Sequence, residues 1–274
     1  AATSAAITAQ IVAISARTIV TTGATSGRTI ATTGATSAAE GYVSDYSQAA
    51  TKSDTPIAEM QQSVSVVTSD QITDQGARNL GQALGYTAGV LAEPFGVDPR
   101  FDTPYIRGFR ADNAQYINGL RQGRYFGAIG QELYGVQQIE VLRGPQGSLY
   151  GRNTVGGAIK YVTSRLSQDA EATIRGAYGS YNQVDLVASG SVPLTDSFRI
   201  GGAFASLTRD GYGENLNTGA EHYDKDVTAF RASAEFTPRD EVFFRLAYDR
   251  TQDDSSPRHG HREVAGVGPG AGSP

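Results

Sequence analysis

The chain has 274 residues, is 39% hydrophobic and 9% aromatic, and carries 23 basic against 28 acidic side chains, a formal net charge of −5. That balance excludes an electrostatic nucleic-acid binder, which needs a basic face. The absence of cysteine excludes a disulfide framework and a thiolate metal site. No apolar run reaches the ~18 residues of a membrane-spanning helix, whereas a barrel strand needs only ~10 alternating residues and leaves no such run.

Residues 1–50 are rich in Ala, Thr, Ser and Gly. The start lacks the basic segment and apolar core of a secretion signal, so the expectation is a chain from which any such signal has been removed. Arg17 to Ser26 is nearly repeated as Arg28 to Ser37, but two copies fall short of the three or so stacked units of a solenoid. With few large apolar residues to offset its ordering entropy, 1–50 reads as mostly flexible.

Residues 51–168 have a different character. Ser63 to Val67 alternates like a strand, and Ser69 or Asp70 is placed to cap a helix after it. Leu80, Ala83 and Leu84 predict a short helix over 79–85, and Gly89 to Ala92 returns to extended chain. Tyr105 to Arg110 and Gln115 to Leu120 read as strands, Gln131 to Gln138 as a helix, and Ile139 to Arg143 as a strand. A glycine-dense turn structure follows over 144–157. Its spacing matches neither G-x-x-x-x-G-K-[ST] nor G-x-G-x-x-G, so a phosphate-binding loop is excluded. Short mixed elements over this length describe a compact α+β domain.

From 169 to 255 the period becomes two. Strands are expected near 172–181, 183–193, 198–209, 226–236 and 242–252, with apolar residues such as Phe230, Ala232, Ala234 and Phe236 alternating with Arg231, Ser233 and Glu235. Tight turns at 195–197 and 238–240 contrast with a long polar loop over 211–225, the asymmetry of an outer-membrane barrel. A soluble β-sandwich or small barrel shares the alternation. Residues 256–274 read as an irregular tail.

The run Ile139-Glu140-Val141-Leu142-Arg143-Gly144-Pro145-Gln146-Gly147-Ser148-Leu149-Tyr150-Gly151-Arg152-Asn153, with Tyr105 to Arg110 and Tyr116 to Leu120 upstream, resembles the plug signature of TonB-dependent outer-membrane receptors. Thr51 to Pro56 and Gln62 to Thr68 make the siderophore branch, including ferrichrome-type receptors, the better match. The resemblance covers about residues 42–255. It implies an α+β plug followed by the first antiparallel strands of a 22-stranded transmembrane barrel, of which this chain would be an N-terminal portion. It also implies a multi-pass protein of the Gram-negative outer membrane, with a ferric siderophore, TonB with its inner-membrane energising complex, and outer-membrane lipid as partners. No cofactor, enzymatic activity or nucleic-acid partner is expected. Alternatives of the same fold are receptors for cobalamin, haem or a glycan; a non-transporting or signalling envelope protein is the third class. Signalling members carry an extra folded domain of ~80 residues before the plug, for which residues 1–50 are too short and too polar.

On the resemblance, substrate contacts fall on plug loops holding Arg100, Phe101, Arg110, Arg124, Tyr125 and Phe126, because guanidinium pairs with anionic oxygens and aromatic faces pack on a chelate's hydrocarbon body. Arg17, Thr18, Ile19, Val20 and Thr21 resemble the TonB-coupling peptide, with Arg17 where an acidic residue is common; the repeat at 28–34 competes for the role. An extended segment of this kind binds a partner by strand addition. Arg107, Glu140, Arg143 and Arg152, all in the signature motifs, are candidates for plug–barrel ion pairs, or for a static structural role. His259 and His261 near Asp253 and Asp254 lack a third ligand of fixed geometry, so no metal site is expected.

Overall fold

The structure, a computed structural model, describes residues 4–15, 41–51, 55–94, 96, 102–122, 131–214, 219–239 and 242–256. In chain order, β1 (Ser4–Ser15), β2 (Tyr46–Ser47) and β3 (Thr55–Pro56) precede a 3-10 turn, Ile57–Glu59. β4 (Ser63–Thr68), α1 (Ser69–Asp74), α2 (Leu80–Leu84) and β5 (Val90–Leu91) follow. Next come β6 (Tyr105–Ile106), β7 (Phe109–Arg110), β8 (Gln115–Ile117) and β9 (Leu120–Arg121). β10 (Val136–Arg143), α3 (Gly147–Tyr150) and β11 (Gly157–Thr163) complete the first body.

That body is built on a mixed sheet in the order β4-β10-β11-β8-β9, with β8 parallel to β11 and the other pairs antiparallel. Its core gathers Leu80, Leu84, Ile106, Ile139, Val141, Ile159 and Tyr161, all fully buried. β10 lies between β4 and β11, and seven of its eight residues are buried. Both of its faces are covered, so the strand does not alternate, which is why Gln131 to Gln138 looks helical in sequence. The structure corrects that expectation: the chain is irregular to 133 and extended from Val136.

Two further expectations are refined. Tyr105–Arg110 and Tyr116–Arg121 are each a hairpin rather than one strand. Arg107-Gly108 and Asn118-Gly119 have positive φ at both turn positions (50°, 84° and 48°, 88°), the two-residue turn whose twist matches the flanking strands. The α1 cap is Thr68, one residue earlier than expected, its hydroxyl accepting from the Gln71 N–H at 3.2 Å. α2 is capped by Asn79.

The second body is a meander of long antiparallel strands: β12 (Glu171–Gly179), β13 (Gln183–Thr195), β14 (Phe198–Arg209), β17 (Lys225–Arg239) and β18 (Val242–Asp253). The short hairpin β15 (Gly213–Glu214) and β16 (Glu221–His222) sits in the long loop between β14 and β17. The five expected strands are all present. Residues 1–50 depart from expectation at two places, the ordered segment around β2 and, earlier in the chain, β1. β1 pairs with β18 along all twelve of its residues, from Ser4↔Asp253 to Ser15↔Val242. The edge of β18 offers unpaired backbone groups, and Ile7, Thr8, Ile11, Val12 and Ile14 favour extended chain locally although the whole segment is poor in large apolar residues. Among the described residues, the sheet order β1-β18-β17-β14-β13-β12 leaves the outer side of β12 unpaired.

Candidate functional site

The long strands β13, β14, β17 and β18 carry a band of large apolar residues on their outer face. Val184, Leu186, Val192, Leu194, Ile200, Phe204, Phe230, Phe236, Phe244, Leu246 and Tyr248 are between 38% and 55% exposed. The intervening residues Ala203, Ala205, Val227, Ala229, Arg231, Ser233, Glu235, Phe243, Arg245 and Ala247 are buried against the first body. A water-soluble sandwich would show the reverse, polar side out. From Val184 to Leu194 the outward band runs along most of β13. At ~3.3 Å per residue and a tilt of ~40° it spans roughly 25 Å, the height of an outer-membrane barrel's apolar belt. Phe198, Phe236 and Phe244 pack in sequence at 6.3 and 6.4 Å between centroids near the short-turn end.

The buried face meets the first body through ions. Lys225 pairs with Glu132 at 3.0 Å beside the long loop. Arg231 pairs with Asp249, donates to the Gly135 carbonyl at 3.2 Å and lies 5.5 Å from the Tyr134 ring. Towards the short turns, both oxygens of fully buried Glu235 accept from Arg165 Nε at 3.1 Å. Arg245 stands 3.6 Å from Glu235 and donates to the Ser164 carbonyl at 2.8 Å. Arg175 reaches Thr73 at 3.1 Å, and Arg78 reaches Asp185 at 3.7 Å. Burial pushes the Tyr134 phenol up to about 12, partly opposed by Arg231.

These contacts differ from the four residues expected to join the bodies. Glu140 is fully buried inside the first body, 3.4 Å from Lys160, and it accepts from Gln138 Nε2 at 2.7 Å and from the Gln48 N–H at 3.1 Å. Arg143 donates to the Ala88 carbonyl, also inside the body, and Arg107 lies beside Gly144. Arg152 is exposed. Among the described residues, the ion pairs between bodies come from Arg78, Glu132 and Arg165 instead. The charged residues on the polar faces of β17 and β18 were the available signal, since a charge that alternates with outward apolar residues needs a partner inside.

Of the expected substrate contacts, Arg110 is exposed and paired with Asp112 at 2.8 Å. Arg100, Phe101, Arg124, Tyr125 and Phe126 lie outside the described residues, as do Arg17, Thr18, Ile19, Val20, Thr21, His259 and His261. The Glu132–Lys225 pair fixes the chain just after residue 130 at the long-loop end. The segment from Ser44 to Ala50 is held on the first sheet by buried polar contacts. Lys160 Nζ donates to Gln48 Oε1 at 3.2 Å and Tyr150 OH donates to the Ala49 carbonyl at 2.5 Å. Burial also raises the Tyr150 phenol, as do Glu140 and Tyr116 beside it.

Comparison with known proteins agrees with this geometry. Residues 56–158 match the TonB-dependent receptor plug domain family. The chain is 33% identical over 172 residues to the ferrioxamine B receptor of Salmonella typhimurium, covering 61% of this chain and 24% of that protein. It is 30% identical over 224 residues to the ferrioxamine receptor of Yersinia enterocolitica (80% and 31%). To the ferrichrome outer membrane transporter/phage receptor of Escherichia coli it is 36% identical over 123 residues (43% and 16%). The FpvAI–pyocin S2 complex superposes with a TM-score of 0.69 at 20% identity over 80% of this chain and 28% of that one. The siderophore receptor PiuA of Acinetobacter baumannii gives 0.63 at 22% (73% and 27%). The chain spans about a quarter to a third of the length of the two ferrioxamine receptors. Residues 56–158 therefore form a plug domain of the TonB-dependent receptor type, and the antiparallel strands after them have the fold seen in the solved siderophore receptors.

Proposed function

We propose that this chain supplies the plug and barrel strands of a receptor that takes up ferric siderophores across the outer membrane with energy delivered through TonB. The observation that carries the reading is the inversion of the strand faces, apolar outside and ionic inside, around a plug domain. Hydrocarbon is the solvent that rewards such a sheet, and lipid does not tolerate the unpaired side of β12, so the reading requires further strands to close the barrel. The ferrioxamine and ferrichrome receptors among the relatives support a siderophore as substrate rather than cobalamin, haem or a glycan.

Scarce chelates call for tight capture. Tight capture means slow release, so work must enter from elsewhere. Residues 17–21, or their repeat at 28–34, are the proposed coupling peptide. The segment Ser44–Ala50, pinned to Glu140, Lys160 and Tyr150, lies between that peptide and the plug sheet in the chain. Arg100, Phe101, Arg110, Arg124, Tyr125 and Phe126 are the proposed contacts for the chelate. Arg107, Arg143 and Arg152 are left as proposed partners for acidic residues on strands beyond those described here.

The test is uptake of radiolabelled ferric siderophores by cells lacking their own receptors and expressing the full receptor gene. Uptake of ferrioxamine or ferrichrome that is lost on deleting residues 17–34, with surface binding retained, is expected. Binding and uptake of cobalamin or haem but of no siderophore would overturn the substrate. Undiminished uptake after the deletion would remove the coupling role.

A further inference from the structure

One guanidinium at the short-turn end, that of Arg199, is buried without an ion-pair partner among the described residues. Arg165, Arg199 and Arg245 converge on one carboxylate, Glu235. Arg165 and Arg245 contact it, and Arg199 stands directly opposite it in the β14–β17 register. Arg199 and Arg245 are 8% and 7% exposed, and arginine does not shed its proton in proteins. Arg199 itself forms no ion pair among the described residues, and the carboxylate opposite it is already taken by Arg165 and Arg245, so Arg199 is a buried positive charge without a counter-ion. The adjoining Arg231 does not help, being matched by Asp249. Buried charge of this kind is costly unless it is paired and hydrogen-bonded.

The hydrogen bonds show the same deficit. Arg199 Nη2 donates to Thr237 Oγ1 at 3.1 Å, but Arg199 Nε is buried without an acceptor, and so is Arg245 Nε. Arg199 also lines a cavity of about 470 Å³, bounded by Gln168 of the plug–strand linker and by Pro193 to Asp196 at the β13–β14 turn. The linker is fixed there. Ser167 N–H donates to Ser191 Oγ at 3.2 Å, and Leu166 packs over Gly201, leaving no room for a Cβ. Thr195 and Gln168 add hydroxyl and amide groups to the wall. Asp196 contributes a carboxylate at the mouth, where it is exposed and screened by solvent.

We propose that this cavity is an anion site that takes a phosphate group, with Arg199 as its principal ligand. A guanidinium fork matches the oxygens of phosphate better than it matches a spherical halide. The group arrives either as free inorganic phosphate or as the headgroup of a phospholipid whose tails lie along outward-facing Leu194. The site is independent of what the receptor transports.

The test uses the full receptor, with the strands that close its barrel, folded in detergent micelles. Inorganic phosphate, titrated calorimetrically at constant ionic strength against chloride, is expected to bind, and Arg199→Gln to weaken it about ten- to a hundredfold, the loss of one charged hydrogen-bonding partner. Arg175→Gln, at the Thr73 contact, is expected to leave phosphate affinity unchanged. Competition by phosphatidylglycerol, but not by a phosphate-free glycolipid, identifies the lipid as the source; phosphate binding without such competition identifies the free ion. Phosphate that binds no better than chloride, or equally well to Arg199→Gln, overturns the proposal. Should Arg199→Gln fail to fold, arginine Nε–H signals of the unaltered protein are followed during the phosphate titration. No movement among the buried signals overturns it.

Discussion

The plug and the strands that follow it use the same amino acids in opposite senses. In the plug, Leu80, Leu84, Ile139, Val141 and Ile159 gather in one buried apolar core. In β13 to β18 most large aliphatic and aromatic side chains face out, while Arg231, Glu235 and Arg245 are buried on the face towards the plug. Each body has selected its own solvent: the plug buries apolar area away from water, and the strands are arranged for hydrocarbon outside and an aqueous, ionic interior. The boundary between them therefore combines ion pairs with a small apolar patch, Tyr134 against Ala203, Ala205, Val227 and Ala229. An apolar seam would hold the plug by area alone, whereas a polar one is held by specific pairs that can be exchanged singly. That fits a plug which, on the proposed function, has to yield.

The comparison breaks most sharply at the buried Glu140–Lys160 pair, the one place where the plug itself encloses charge between its own strands. Glu140→Ala is expected to destabilise the plug by about 3–5 kcal/mol, because buried Lys160 loses the carboxylate that balances its charge. Adding Lys160→Met should return most of that loss. Urea unfolding of the two variants, followed by tyrosine fluorescence, checks both.

Leu246→Arg probes the other body. Leu246 is 55% exposed near the middle of β18, and the substitution is expected to cost about 2–4 kcal/mol when the complete barrel folds into lipid vesicles. A cost near zero would mean that this face meets water, and the transmembrane reading would fail.

High pH sharpens the contrast within the interface. Tyr134 and Tyr150 titrate above the ordinary tyrosine value, chiefly through burial. The folded state therefore keeps its phenolic protons where the unfolded chain loses them, and stability falls as pH rises above 10. Their contribution is intact below pH 10, and that of Tyr134 is spent at about pH 12. Phenolate absorbance should rise in two steps, the later one coinciding with loss of near-ultraviolet circular dichroism.

The smallest effect is expected at Arg110. Its pair with Asp112 is solvent-exposed, so Arg110→Ala should change stability by less than about 1 kcal/mol. Siderophore affinity measured on the full receptor is where the substitution should register.

What could be read from the chain followed from locality. Period-two alternation located all five long strands, because a half-buried strand displays its two environments residue by residue. The Arg107-Gly108 and Asn118-Gly119 turns were marked by their glycines, yet the hairpins they close were too short to separate into two strands each. Of β10, Ile139 to Arg143 reads as a strand and only Val136 to Gln138 escaped, since a strand covered on both faces gives no polar face to mark where it starts. β1 escaped for another reason: its pairing depends on an edge more than two hundred residues away in the chain.

The site divides the same way. The motifs carrying Arg107, Glu140 and Arg143 named the family by themselves, because they encode local turns and strands. Their partners were not local. Sequence spacing cannot say that Glu140 faces Lys160 across β10 and β11, or that Glu235 gathers Arg165 and Arg245 from two other segments. The alternation also left the inside of the sheet undecided, since a soluble sandwich and a membrane barrel share the same period. Only packing against the plug showed that the charged face is the buried one, and burial is a property of what lies opposite, which no single strand contains.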